Sequence, residues 1–213
     1  KPDEIKTYAK PVGDAVKMTR TKLPGDVSLI GFSGAPWTLM TYLLEGGSSR
    51  DFSLVREFLY SEPKQTEAIL SLLCDAITEF LVIQAEAGAN ALMLFDSWSG
   101  MVPSSKRDNL VTLQHQRIIK AVRDRGCCQP FITFPKGLSE GLINYCDNVD
   151  ISCVGVDHLT DIGWAARSLR SDIALQGNLD PLSLVAGGAQ MKKEVDLIME
   201  AVNDRYHIFN LGH

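Results

Sequence analysis

The feature that most constrains this chain is a repeat: short apolar runs, each closed by a polar or glycine-bearing step and followed by a helix-forming stretch. The runs fall at residues 27–32, 90–95, 129–134, 151–156, 173–176 and 207–211. They are continuously apolar rather than alternating, as in parallel strands covered on both faces. Between them the spacing predicts helices. The clearest covers 63–87, where Ile69, Leu72, Leu73, Ala76, Ile77 and Phe80 recur at i, i+3 and i+4. Pro63 suits its first turn and Gly88 its stop. Further helices are expected over 52–60, 104–125, 139–146, 161–169 and 190–202, with an opening helix over 3–22 interrupted near Pro11 and Gly13.

Alternating β and α elements imply a parallel sheet, either open and doubly wound or closed as a barrel. Polar or glycine-rich steps follow nearly every run: Ser33-Gly34, Asp96-Ser97, Asp157-His158, Gly177-Asn178 and Gly212-His213. A barrel gathers such strand ends on one face, whereas an open sheet concentrates its site at one switch point. The expected fold class is therefore α/β, a (β/α)8 TIM barrel. Such a barrel has eight strands and about 250 residues, against 213 residues here. The chain begins with a helix and stops just after a strand. The expectation is a single barrel domain over 1–213, about six β/α units, truncated at both ends with its N-terminal strands missing.

Charge and composition narrow the function. A net charge of −5 argues against general binding to nucleic acid or to an acidic membrane surface. No apolar run approaches the roughly 20 residues of a membrane span, and the polar start lacks a signal peptide's hydrophobic stretch. There is no initiator methionine. The cysteines, Cys74, Cys127, Cys128, Cys146 and Cys153, are odd in number and without a C-x-x-C pair, so they read as reduced thiols. Cys127-Cys128 is expected in a helix-to-strand loop. No G-x-G-x-x-G or Walker A sequence occurs, Ser97 spoils a G-x-S-x-G elbow, and His115, His158, His207 and His213 show no metal-binding spacing.

Several strand-end segments could carry chemistry. Small residues at 31, 33, 34 and 35 allow close backbone approach to a ligand, and Pro36 can open a helix carrying Trp37, Met40 and Tyr42. Trp37 and Met40 read as core, while the Tyr42 phenol needs a partner or a polar site. Asp96 and Ser97 offer a carboxylate and a hydroxyl to a substrate, or an N-cap to the next helix. Asp157-His158 reads as a capping Asp beside a packed His. Asn178 and Asp180 read as turn residues before a helix as readily as site residues. His213 follows Gly212 at a strand end, where spacing alone gives it little weight.

Four blocks, taken together, resemble uroporphyrinogen decarboxylases almost letter for letter and in the same order. They are residues 34–42 (GAPWTLMTY, followed by Glu45-Gly46-Gly47), 94–100 (LFDSWSG), 175–181 (LQGNLDP) and 210–213 (NLGH). The resemblance implies a homodimeric (β/α)8 barrel whose cleft binds uroporphyrinogen and, without metal or organic cofactor, removes carboxyl from four acetate arms to give coproporphyrinogen. It implies that Tyr42, Ser97 and His213 line that cleft and serve catalysis and substrate binding, with Phe95 packing on the macrocycle. It also implies a cytoplasmic enzyme, or one of the plastid stroma in a plant or alga.

The resemblance has gaps. The family's N-terminal R-Q-A-G-R-Y motif, whose arginines bind substrate carboxylates, and the aspartate that holds the pyrrole nitrogens do not occur here. The isolated chain is therefore expected to be nearly inactive. His158 stands where the family commonly has tryptophan, and Phe134-Pro135-Lys136-Gly137 departs from the usual segment. A barrel methyltransferase is the nearest rival, but such enzymes commonly carry H-x-C where residues 132–137 read ITFPKG. A non-catalytic binding protein built on the same barrel is the other.

Overall fold

A computed structural model of the chain describes residues 2–47 and 49–213. Its strands follow the apolar runs: β1 (Ile30–Gly34), β2 (Ala91–Asp96), β3 (Phe131–Pro135), β4 (Cys153–Gly155), β5 (Ala174–Leu179) and β6 (His207–Leu211). All pair in parallel, and the order in the sheet is the order in the chain. A doubly wound sheet would reverse at a switch point; an order without reversal is that of a barrel wall, here a partial one. Among the described residues, β1 and β6 each pair on one side only.

The helices are α1 (Pro2–Lys22), α2 (Pro36–Glu45), α3 (Ser53–Ser61), α4 (Pro63–Glu86), α5 (Leu113–Asp124), α6 (Gly141–Asn148), α7 (Ile162–Ser168), α8 (Pro181–Ala186) and α9 (Gly188–Ala201). Strand pleating splits the core in two. Leu92, Leu94, Phe131 and Val154 point to the helix layer and join one large cluster with Trp37, Met40, Leu70, Leu81, Ile118 and their neighbours. Ala91, Met93, Ile132, Phe134 and Cys153 form a second, smaller cluster, with Phe95 and Ala174 against it. The second is the inner lining, and the strand ends above it form the site.

Several boundaries differ from the sequence expectation. The ladder of β1 starts at Ile30 rather than residue 27, because the preceding backbone bonds to side chains: the Val27 carbonyl accepts from Arg20, and the Leu29 N–H donates to Asn90 Oδ1. Strand β5 runs on through Gly177 and Asn178, which pair with Phe209 and Asn210 instead of forming a loop. Helix α1 passes through Pro11 without interruption. Gly13 there is a packing contact, since a Cβ would lie 2.8 Å from Ile83 Cγ2 of α4. The stretch expected as one helix over 104–125 enters through a 3-10 turn at Ser104–Lys106 and a π turn at Asp108–Thr112 before α5.

One exclusion needs correcting. Helix α4 is long and apolar enough to cross a membrane by length and composition. Half of that apolar stretch is buried in the fold, where α4 packs on α1, α2, α5 and β1. A core helix produces the same signal. Cys127 is buried and Cys128 exposed in the loop entering β3, and the cysteines are free thiols. Burial pushes Cys74, Cys146 and Cys153 up to about 12, so these thiols stay protonated.

Candidate functional site

Pleat parity decides which strand-end residues face inward. Phe95 and Ser97 share a face, and the alternating Asp96 turns to the other. Phe95, Ser97 and His213 come together around a cavity of about 310 Å³, lined also by Met93, Phe134, Gly155, Gln176, Asn210 and Leu211. Phe95 and Phe134 are register partners on β2 and β3, and Phe134 leans over β4 because Gly155 has no side chain; a Cβ there would lie 2.5 Å from Phe134 Cδ2. The result is an aromatic floor with a hydroxyl and an imidazole at its rim.

Tyr42 is not on this cavity. It is 51% exposed and lines an adjoining hollow of about 440 Å³ with Gly46, Gly47, Ser49, Phe52 and Trp98. Trp98 and Phe52 pack with ring centroids 4.6 Å apart. The two hollows are therefore neighbours across the loop that carries both Ser97 and Trp98.

Asp96 contacts neither hollow and caps no helix. Its carboxylate is fully buried on the helix side, where Thr38 Oγ1 donates to Oδ1 at 2.6 Å. The same Thr38 oxygen accepts from the Trp98 N–H at 3.3 Å, and Trp37 Nε1 donates to the Trp98 carbonyl at 3.0 Å. The residues on both sides of Ser97 are thus fastened to α2, the helix that carries Tyr42. Behind Asp96, His115 Nε2 lies 3.3 Å from Oδ2 without completing a hydrogen bond. His115 Nδ1 meets the Tyr145 hydroxyl at 2.7 Å. Burial pushes the Tyr145 phenol well above its ordinary value, so it remains a neutral phenol. Spacing offered no sign of this buried row, because its members are far apart in sequence.

Across the cavity, Asp157 ties loops together: its oxygens accept from Leu159 N, Gly137 N and Thr160 Oγ1. Asn178 donates to the Asp157 and Thr160 carbonyls, and Asp180 caps α8 by accepting from Leu182 N at 2.8 Å. Asp180 fits its capping reading, whereas Asn178 lies within β5 rather than in a turn, and Asp157 ties loops while Asp161 caps α7. His158 packs against Gly212, whose carbonyl accepts from the His158 N–H.

His213 Nδ1 lies 3.1 Å from Lys136 Nζ, and its ring stacks on Phe134 at 5.9 Å. An ammonium can only donate, so Nδ1 accepts and the proton of the neutral ring sits on Nε2. Burial first, then the Lys136 ammonium and His158, lower the His213 basicity against an opposing pull from Asp157. The imidazole is neutral near pH 7 and offers one N–H donor. Lys136 is the residue that sequence reasoning missed: a lone lysine in a loop looks like any solvated charge. Among the described residues, no group of three or more His, Cys, Asp or Glu side chains is placed to hold a metal ion.

The comparisons agree with one another on fold. Residues 1–213 match the family described as uroporphyrinogen decarboxylase (URO-D). The uroporphyrinogen decarboxylase of Novosphingobium aromaticivorans is 39% identical over 203 residues, 95% of this chain and 60% of the relative. That of Rhodospirillum rubrum is 37% identical over 212 residues, 100% of this chain and 61% of the relative. The chain thus spans about three-fifths of the length of these curated relatives. A solved methyltransferase from Methanosarcina mazei superposes with a TM-score of 0.77 over 94% of this chain and 58% of its own. At 16% identity that likeness speaks for the fold alone.

Proposed function

The chain belongs to the uroporphyrinogen decarboxylase family, and on that premise we propose that the protein carrying it removes carboxyl from the four acetate arms of uroporphyrinogen III, giving coproporphyrinogen III and carbon dioxide. The observation that carries this reading is the cavity in which Phe95, Ser97 and His213 meet at the strand ends. Phe95 and Phe134 supply flat apolar surface for a pyrrole-bearing macrocycle. Ser97 and the Nε2–H of His213 supply hydrogen bonds to a carboxylate or to the group that delivers a proton. Tyr42, in the adjoining hollow, reaches an arm rather than the ring centre.

The chemistry suits such a lining. Loss of carbon dioxide from a pyrrole acetate leaves a carbanion unless the ring is protonated first. An electron-rich pyrrole takes that proton and then receives the electron pair of the broken C–C bond. The protein's task is to hold the ring, support the transient cation and return a proton. No arginine and no carboxylate lines the cavity among the described residues. The 213-residue chain by itself is expected to be nearly inactive. We further read the protein as a single barrel domain, a cytoplasmic homodimer.

The test is turnover of reduced uroporphyrinogen III by the full-length protein, with products oxidised and separated by carboxyl number. Appearance of the seven-, six-, five- and four-carboxyl porphyrins, lost in Ser97→Ala and His213→Asn, is the expected result. Binding without any loss of carboxyl would favour a non-catalytic porphyrin carrier. Stoichiometric zinc with methyl transfer would favour the methyltransferase branch of this fold.

A further inference from the structure

Lys136 follows β3 and its backbone is pinned by the Ser97 loop: its carbonyl accepts from Gly100 N and Ser99 Oγ at 2.8 Å each, and its N–H donates to the Asp96 carbonyl at 3.2 Å. Its position relative to Ser97 is therefore fixed by main-chain bonds. The half-buried side chain runs along the ridge between the two hollows. Nζ lies 5.9 Å from the ring centroid of Trp98, which lines one hollow, and 3.1 Å from His213 Nδ1, which lines the other.

Among the described residues, no Asp or Glu pairs with this ammonium. Three N–H donors are available and His213 takes one. A partly desolvated cation without a counter-ion is unfavourable, and a carboxylate entering either hollow would relieve it. The overall charge of −5 repels a polyanion, so attraction must be local. Among the described residues, the cavity lining itself contributes no cation.

We propose that Lys136 binds a carboxylate arm of the tetrapyrrole at the ridge between the hollows, while His213, whose Nδ1 it occupies, faces the same arm as a neutral N–H donor. This rests on the reading of the site as a cleft for a polycarboxylate. It divides the labour between two neighbours: Lys136 carries the charge, and His213 gives direction.

The test uses the full-length protein with Lys136→Met, which keeps the stem and removes the charge, and Lys136→Arg, which keeps the charge. The probes are oxidised uroporphyrin III, an unreactive octacarboxylate followed by fluorescence, and uroporphyrinogen III turnover. Loss of a charged hydrogen bond predicts a roughly tenfold or greater rise in Kd and KM for Lys136→Met, with kcat changed less and Lys136→Arg recovering most of the loss. The His213 imidazole, followed by NMR, should titrate higher in Lys136→Met, since His158 and Asp157 remain and only the ammonium has gone. Kd and KM within twofold of the parent, or an unmoved His213 titration, would overturn the proposal. A parent that neither binds uroporphyrin nor decarboxylates uroporphyrinogen overturns the functional reading and this role with it. A competent parent with an indifferent Lys136→Met overturns this role alone.

Discussion

Strands β2 and β6 are both short apolar runs that deliver a residue to the same cavity, Ser97 from the first and His213 from the second. Their surroundings differ. β2 has strand neighbours on both sides and is buried along nearly its whole length. Among the described residues β6 pairs with β5 alone, and Ile208 and Phe209 are 41% and 45% exposed. Beyond β2, Asp96 and Trp98 are fastened to α2 by Thr38 and Trp37. Beyond β6, a Gly212 N–H bond to the Leu179 carbonyl and the contact with His158 do the holding. Among the described residues, one rim of the site is thus fastened to the helix layer, and the other is held by β5 and the loop after β4. Apolar content makes a strand; the number of its neighbours decides how firmly it holds what it carries.

The largest expected difference is in stability. Leu94→Ala empties a fully buried position of β2 and should cost about 2–5 kcal/mol in urea unfolding of this chain. Ile208→Ala on β6 should cost about 1 kcal/mol or less, because much of the side chain already meets solvent. Equal costs would break the comparison.

Thr38→Val sharpens it at the strand end. The substitution keeps the shape but leaves Asp96 Oδ1 buried without its donor and the Trp98 N–H without its acceptor. A cost of about 1.5–3 kcal/mol is expected, with Thr38→Ser restoring most of it. On the β6 side, a Cβ at Gly212 would lie 2.6 Å from His158 Cβ and closer still to the His158 backbone. Gly212→Ala should therefore push β6 from the β4 loop at about 1–3 kcal/mol. Hydrogen exchange should speed up at β6 amides in Gly212→Ala while β2 amides keep their protection.

How much of this was legible depends on whether a residue acts through its own element or through another. The six strands and the core roles of Trp37 and Met40 follow from local apolar pattern, and the structure has them there. Parity along β2 was enough to separate Asp96 from Phe95 and Ser97, since alternate residues face opposite sides; the polar step after the strand disguised it. Pro11 signalled a break that packing on α4 overrides. The row from Thr38 through Asp96 to His115 and Tyr145 and the meeting of Lys136 with His213 are contacts across 19 to 77 residues. No single-sequence spacing encodes them.

The smallest predicted effect is a pH dependence confined to the edge. His207 opens β6 and donates to the Gly177 carbonyl at 2.6 Å, and burial lowers its pKa from the ordinary 6.5 despite that bond. His213 is lowered as well, by burial and by Lys136. A histidine whose folded pKa lies below its unfolded value binds a proton more readily when unfolded. As pH falls through about 6.5 the unfolded chain takes up protons first, so stability declines and continues to decline until the folded pKa is passed. Both groups are partly exposed, which keeps the loss modest. Urea midpoints measured from pH 7.5 down to 5.5 should fall for the parent chain and fall less for His207→Gln. Since β2 carries no histidine, amide protection along β2 should change with pH only as global stability does, whereas β6 should loosen first. A uniform loss of protection along both strands would mean that the edge opens only with the core.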